Sequence, residues 1–206
     1  MKKNFLRLTL VFALVLLSAA GAFAATDADA VLKAVLKNEM EFFSVDHDRS
    51  MKLDEFWSLG CDEGPYMPKE YSCFAVVDMD RDGVPEIVLD PGAPIVFHYE
   101  DGVVYAWQLG SRSMQMLKKD GSYHGSNGAS AGAFIRVKKF DGKTFEEEYL
   151  GEYSEEYDFD GNFLSGEYKI KGKSVSKEEY DRMIDELIDK NFADQLDFTE
   201  ENMEKW

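Results

Sequence analysis

A short acidic segment, "DMDRDGVPEIVLD" at residues 78–90, has the spacing of a metal-binding loop. Aspartates occupy alternate positions, Gly83 follows the third, and a glutamate comes three residues later. Calcium binds six to eight oxygen atoms, and a tight loop supplies them when alternate side chains point inward. We therefore predict a calcium site in this segment. Its predicted ligands are Asp78, Asp80, Asp82, Glu86 and the backbone carbonyl of Val84.

The segment differs from an EF-hand loop, which carries a bidentate glutamate at its twelfth position. That position is Leu89 here, and the eighth position is Pro85. Apolar residues with strand propensity flank the segment at 74–77 and 87–89. We therefore predict that the cation joins two strands of a β-hairpin. We expect a structural role for the ion, because no histidine or nucleophile lies beside its ligands in the sequence.

The alternative is a solvated acidic turn that binds nothing. Two carboxylates about 4 Å apart repel each other by roughly 1 kcal/mol in water and by about 4 kcal/mol at an effective dielectric constant near 20. A bound cation removes this repulsion. Calcium at about one hundred times its dissociation constant would add about 2.7 kcal/mol to the free energy of unfolding.

The first 24 residues have the features of a secretory signal peptide. Basic residues precede an apolar run over 8–17, and small residues at 22–24 form a cleavage motif before Ala25. The alternative is a membrane anchor, but this run is shorter than the roughly 20 residues of a membrane span. We expect a secreted or periplasmic protein whose mature chain is one calcium-binding domain over 25–206.

The charge of the chain restricts its partners. Its 40 acidic and 23 basic residues give a net charge of −17, so it lacks the basic surface that binds nucleic acid. Cations are the small partners that this charge favours. In an oxidising compartment we also expect a disulfide between Cys61 and Cys73, which would add about 3 kcal/mol; the alternative is two buried thiols.

The remaining patterns predict an α+β fold. Apolar residues at helical spacing predict an amphipathic helix over 26–43, a short helix over 53–59, and a C-terminal helix that begins after Ser176. A final turn over 199–206 is expected to dock through Trp206. Strands are predicted at 73–77, 86–90, 95–99, 103–109 and 133–140. Asp-Gly turns between them indicate an antiparallel β-meander sheet packed by the terminal helices, with the polar segment 144–154 as an edge strand.

The segment "GSYHGSNGASAG" at residues 121–132 could serve a different chemistry. Its end matches the G-x-S-x-G pattern of hydrolases, with Ser130 in the middle and His124 nearby. That pattern works on a strand-to-helix turn, whereas a strand is predicted to follow here. We therefore prefer a loop that faces a ligand and keep an extracellular hydrolase as the alternative.

Several phrases resemble those of a family of exported bacterial proteins, many from gut and anaerobic species. They are "VLKNEMEFFSVD", "MKLDEF", "FAVVDMDRDGVPEIVL", "YEDGVVYAW", "SKEEYDRMIDEL" and "DFTEENMEKW", which together cover nearly the whole mature chain. The acidic segment also resembles the integrin-type (FG-GAP-like) calcium loops of β-propeller blades. The resemblance implies export and metal binding but no reaction. We therefore expect a binding or surface-interaction module for a protein, peptide or glycan, with calcium-dependent folding outside the cell as a further possibility.

Overall fold

Two β-sheets and four helices form the part of the chain that the computed structural model describes, residues 28–60, 71–89, 94–110, 112–126, 128 and 130–206. The predicted signal peptide, its cleavage site and Cys61 lie outside these residues. The disulfide between Cys61 and Cys73 therefore stays a prediction. No helix within the described ranges is both long and apolar enough to cross a membrane.

The first sheet contains seven strands. They are β1 (Phe42–Ser44), β2 (Arg49–Met51), β3 (Cys73–Val77), β4 (Glu86–Leu89), β5 (Ile95–Glu100), β6 (Val103–Gln108) and β12 (Gln195–Asp197). Their order in the sheet is β12-β3-β4-β5-β6-β1-β2. β1 and β6 are parallel, and every other neighbouring pair is antiparallel. The strands β3 to β6 follow one another as the sequence predicts.

The second sheet contains five antiparallel strands. They are β7 (Tyr123–Ser126), β8 (Ala131–Asp141), β9 (Thr144–Tyr157), β10 (Phe163–Ile170) and β11 (Lys173–Val175), in the order β11-β10-β9-β8-β7. The prediction of a single meander sheet is therefore wrong, because the chain leaves the first sheet after β6. The prediction of an edge strand over 144–154 is also wrong. β9 pairs on both sides, and its many polar side chains reflect an open face, while Leu150 is fully buried.

The helices are α1 over 28–36, α2 (Leu53–Gly60), α3 (Lys177–Leu187) and α4 (Glu200–Lys205). The prediction that the first helix continues to Phe43 is wrong. Asn38 has a φ of +60°, a left-handed conformation that ends helices, and the chain then enters β1. Phe42 is buried in that strand, so an apolar residue that suits helical spacing instead fills the core from the sheet.

The first sheet lies between two apolar layers. On one face, Leu32 of α1, Phe56 of α2 and Met203 of α4 join one hydrophobic cluster with alternate strand residues. Trp206 packs against this cluster, as the sequence predicts for the C-terminal turn. On the other face, Val88 belongs to a second cluster that includes residues of the second sheet. The two sheets therefore pack face to face, and α3 packs on the second sheet through a third cluster.

The N-terminus of α3 provides a first stability prediction. The Ser176 side chain accepts a hydrogen bond from the Glu179 amide at 3.2 Å. Ser176→Ala will lower the free energy of unfolding by about 1 kcal/mol, because a helical amide loses its acceptor. Chemical denaturation measures this difference. Ser174→Ala, in the neighbouring exposed strand, is the control and should change stability by less than about 0.5 kcal/mol; equal effects would contradict the assigned cap.

Candidate metal site

The acidic loop, residues 78–86, connects two antiparallel strands inside the first sheet. β3 ends at Val77 and β4 begins at Glu86, and these two residues pair across the hairpin. All four residues of β4 are buried. The prediction that this loop joins two strands, and not two helices, is confirmed.

Aspartate side chains hold the backbone of the acidic loop. The Gly83 amide donates a hydrogen bond to Asp78 Oδ2 at 3.1 Å. The Asp82 amide donates to Asp80 Oδ1 at 3.2 Å, and the Val84 amide donates to Asp82 Oδ1 at 2.7 Å. Gly83 has a φ of +91°, which glycine adopts without strain. The alternating aspartates and the glycine thus build the turn as the sequence predicts.

Three carboxylates converge inside this turn. One oxygen from each of Asp78, Asp80 and Glu86 lies within 4.8 Å of the other two. Such distances suit ligands of one calcium ion, which binds oxygen at about 2.3–2.6 Å. Asp78 Oδ1 is inaccessible to solvent and has no hydrogen-bond partner among the described residues. A buried anionic oxygen without a partner is unfavourable, and a cation at this position would satisfy it.

Glu86 is the most deeply buried of the three acidic residues. It is fully inaccessible, Oε2 accepts a hydrogen bond from the Met79 amide at 2.7 Å, and Oε1 lies 2.9 Å from His98 Nδ1. Burial raises the pKa of Glu86 to about 7, although the hydrogen bonds from His98 and Met79 act in the opposite direction. A carboxylate offers about four lone-pair sites, so these bonds leave capacity to bind a cation.

His98 is a site residue that sequence reasoning missed. It is 3% exposed, and its ring stacks on that of Phe140 with centroids 4.5 Å apart. The pairing of β4 with β5 is the feature that could have identified His98 as a site residue. Ile87 pairs with Phe97, which places the preceding Glu86 opposite His98. A histidine that bonds a ligating carboxylate fixes the orientation of that ligand and tunes its basicity.

The acidic loop also contacts the second sheet. The Phe140 amide of β8 donates a hydrogen bond to Asp80 Oδ2 at 3.1 Å. Arg81 forms an ion pair with Asp120 at 3.2 Å, and Arg136 of β8 reaches the same carboxylate at 2.8 Å. An ion in the loop would therefore fix the junction between the two sheets as well as the hairpin.

Asp82 and Val84 are placed differently from the other predicted ligands. Asp82 is outside the group of converging oxygen atoms, and its Oδ1 accepts from the Val84 amide. Burial raises the pKa of Asp82, with the negative charges of Asp80 and Asp78 adding to the effect. Coordination by Asp82 and by the Val84 carbonyl stays a prediction.

His124, the candidate base of the alternative hydrolase, lies on β7. Its Nε2 is 3.2 Å from the Tyr153 hydroxyl, and the two rings stack. Burial lowers the pKa of His124. Ser126 Oγ donates to the Gly128 carbonyl, and the Ser130 carbonyl accepts from the Glu155 amide. The observed bonds therefore orient His124 toward a tyrosine.

Comparisons with known proteins found no match, whether with protein-family models, curated proteins or solved structures. The resemblance to exported bacterial proteins and to integrin-type loops stays a prediction. The chemical role of the acidic loop is therefore inferred from its own geometry.

The raised pKa of Glu86 predicts that cation binding depends on pH. In the metal-free protein, neutral Glu86 contributes stability below its ordinary pKa of 4.5, and this contribution is lost as pH rises through about 7. A cation requires the ionised form, so its affinity should fall by up to about tenfold per pH unit below 7. Calcium should therefore raise the melting temperature more at about pH 8 than at about pH 6.

The pH prediction is tested by calcium titrations across this range in chelator-free buffers. Glu86→Gln removes the titrating carboxylate and should leave a weaker affinity that is nearly independent of pH. Glu100→Gln, in the β5–β6 hairpin, is a control that should keep the pH dependence of the wild type. An affinity that stays constant for the wild type from about pH 6 to about pH 8 would contradict the role of Glu86.

Proposed function

We propose that this chain is an exported, calcium-stabilised binding module. In this proposal, one ion in the acidic loop, held by Asp78, Asp80 and Glu86 and completed by Asp82 and the Val84 carbonyl, fixes the β3–β4 hairpin against the second sheet. The ion is structural. The ligand of the module binds elsewhere on the protein.

The buried Asp78 Oδ1 is the observation that carries this proposal. This atom has no hydrogen-bond partner within the described residues, and one oxygen of Asp78 lies within 4.8 Å of an oxygen of Asp80 and of Glu86. An acidic turn that binds nothing would direct its charges into water, because a buried carboxylate without a partner is strongly disfavoured. One positive ion neutralises the repulsion and satisfies the free oxygen at the same time.

The donor set supports calcium over other metals. All three converging atoms are carboxylate oxygens, which hard cations prefer, and His98 bonds to Glu86 through Nδ1. Magnesium requires near-ideal octahedral geometry at about 2.0–2.1 Å, whereas calcium accepts irregular oxygen sites. The predicted signal peptide supports the same choice, since it would place the protein outside the cell, where calcium-dependent modules operate with weaker sites.

A hydrolase is the second candidate because a cleft of about 460 Å³ lies on the second sheet at the glycine- and serine-rich segment. Ser126 lines this cleft, but neither His124 nor Ser130 is among the described residues that line it. This arrangement supports binding over Ser/His catalysis. Hydrolysis of an activated ester that is lost in Ser126→Ala but kept in Ser122→Ala would instead support the hydrolase.

Titration calorimetry with calcium and magnesium tests the proposed function. The wild type should bind one calcium ion per chain and bind magnesium at least about tenfold more weakly. Asp80→Asn should lose most of this affinity, because it removes a ligand charge. Asp160→Asn neutralises an exposed aspartate in another turn and should bind calcium as the wild type does. Absence of calcium binding by the wild type would contradict the proposal.

A further inference from the structure

The cleft on the second sheet has the features of a built ligand site. Its volume of about 460 Å³ is in the range of pockets that hold small molecules. Strands β7 to β10 contribute most of its lining, and Leu109 and Ser113 also line it. Its lining includes Tyr123, Gly125, Ala133, Glu147, Glu152 and Lys169.

A row of two small and two charged residues lines the cleft. Gly125, Ala133, Glu152 and Lys169 form one row across β7 to β10, because each is paired with the next in the sheet register. Paired residues on neighbouring strands point to the same face. Side chains of one carbon or none on β7 and β8 therefore lie beside long charged side chains on β9 and β10. The row is therefore small and uncharged on β7 and β8, and charged on β9 and β10.

Carboxylates in the cleft outnumber basic groups. Glu147, Glu152 and Glu167 line it with one lysine, Lys169, which leaves two negative charges in excess. No ion pair joins any of these three glutamates to a basic side chain in the described part of the chain. Two other glutamates of β9 do form ion pairs: Glu146 with Lys138 at 2.7 Å and Glu148 with Lys171 at 3.6 Å. The three glutamates of the cleft thus lack a basic partner within the described residues.

One tyrosine fixes the position of a cleft glutamate, and a second tyrosine also lines the cleft. The buried Tyr123 hydroxyl donates a hydrogen bond to Glu147 Oε1, and burial with the nearby Glu147 carboxylate raises the pKa of this tyrosine, so it stays a donor. The donated bond fixes Glu147 at the edge of the cleft. Tyr149 lines the same cleft and is 45% exposed, which leaves its ring available to a ligand. An aromatic face beside carboxylates suits an organic cation.

We propose that this cleft binds a small organic cation through its ammonium group. The ammonium would lie between Glu152 and Glu167, which the register places in adjacent rows of β9 and β10. The carbon chain would extend past Ala133 toward Tyr149 and Glu147. The net charge of −17 raises the local concentration of cations and disfavours anionic ligands. This proposal names a ligand class for the binding role proposed above, but it does not depend on calcium in the acidic loop.

The test is titration of putrescine into the protein in calcium-saturated buffer, with succinate as an anionic ligand of the same length and glucose as a neutral one. Putrescine should bind, more weakly at higher salt, and succinate and glucose should not. A calcium titration of the same protein separates the two proposals: putrescine binding by a protein that binds no calcium would overturn only the metal site, and calcium binding without putrescine binding would overturn only the cleft proposal. Equal binding of putrescine and succinate, or no binding of putrescine, would overturn the cleft proposal.

Matched variants locate the bound amine. Glu152→Gln should weaken putrescine binding about fivefold, and the double variant with Glu167→Gln about 25-fold. Each carboxylate would form a partly exposed ion pair with the bound amine, and the two losses should add. Glu146→Gln, on the same strand but outside the cleft, should bind like the wild type. Ala133→Leu places a larger side chain in the cleft and should abolish putrescine binding. The melting temperature of this variant confirms that it folds. Unchanged affinity in both Glu152→Gln and Ala133→Leu would overturn the assignment.

Discussion

Asp78→Asn will raise the melting temperature of the metal-free protein and abolish the stabilisation by calcium. Asp78 Oδ2 accepts from the Gly83 amide, and Oδ1 is buried without a partner among the described residues. An asparagine keeps the acceptor, and its amide group can donate to the carboxylates of Asp80 and Glu86. At about pH 8, where Glu86 is ionised, the substitution also removes one of three clustered negative charges, so the metal-free fold should gain about 1–2 kcal/mol.

In calcium, the wild type should have a higher melting temperature than Asp78→Asn. At about one hundred times the dissociation constant, calcium should add about 2.7 kcal/mol to the wild type, which corresponds to about 5–10 °C for a chain of this size. The variant should show almost no change. Thermal unfolding with calcium and with chelator measures both effects. Asp160→Asn should respond to calcium like the wild type, and a wild type whose midpoint is unchanged by calcium would contradict the stabilising role.

Gly121→Ala will destabilise the protein and weaken its calcium site. Gly121 has a φ of +78°, and a Cβ at this position would lie 2.6 Å from Met79 Cα and 2.8 Å from the Met79 carbonyl oxygen. These are backbone atoms of the acidic loop, which cannot move aside as a flexible side chain could. Conformational strain and overlap together should cost about 3 kcal/mol, or about 6–12 °C in melting temperature. A displaced Met79 amide would also disturb its bond to Glu86.

Gly102→Ala is the control for backbone strain alone. Gly102 has a φ of +86°, but nothing lies within 4 Å of a Cβ built there. It should lose only about 1 kcal/mol and keep the calcium affinity of the wild type. Unfolding and calcium titrations of both variants measure the difference. Equal stability losses, or an unchanged calcium affinity in Gly121→Ala, would show that the contact with the acidic loop has no energetic role.

The core of the site could be predicted from local sequence. Alternating aspartates, a glycine and flanking apolar strands predict a hairpin in which side chains converge, and Asp78, Asp80 and Glu86 do so. The hairpin strands themselves follow from alternation of apolar residues, since one face of each must enter a core. These features depend on residues close together in the chain.

The partners of the site could not be predicted in the same way. His98 meets Glu86 through the register of the next hairpin, and the Phe140 amide reaches Asp80 only because the second sheet packs on the first. The central position of β9 was missed for a related reason. Its glutamates suggest an edge, but two of the cleft's charged residues, Glu147 and Glu152, lie on the open face of a strand whose Leu150 is buried. Contacts between sheets have no local signature.

The most direct test of the account is a crystal structure of the protein grown in calcium. It should contain one ion in the acidic loop, with oxygens of Asp78, Asp80 and Glu86 at about 2.3–2.6 Å and His98 still bonded to Glu86. A calcium-soaked crystal whose Asp78 and Asp80 side chains point into solvent, with no ion between them, would contradict the central claim.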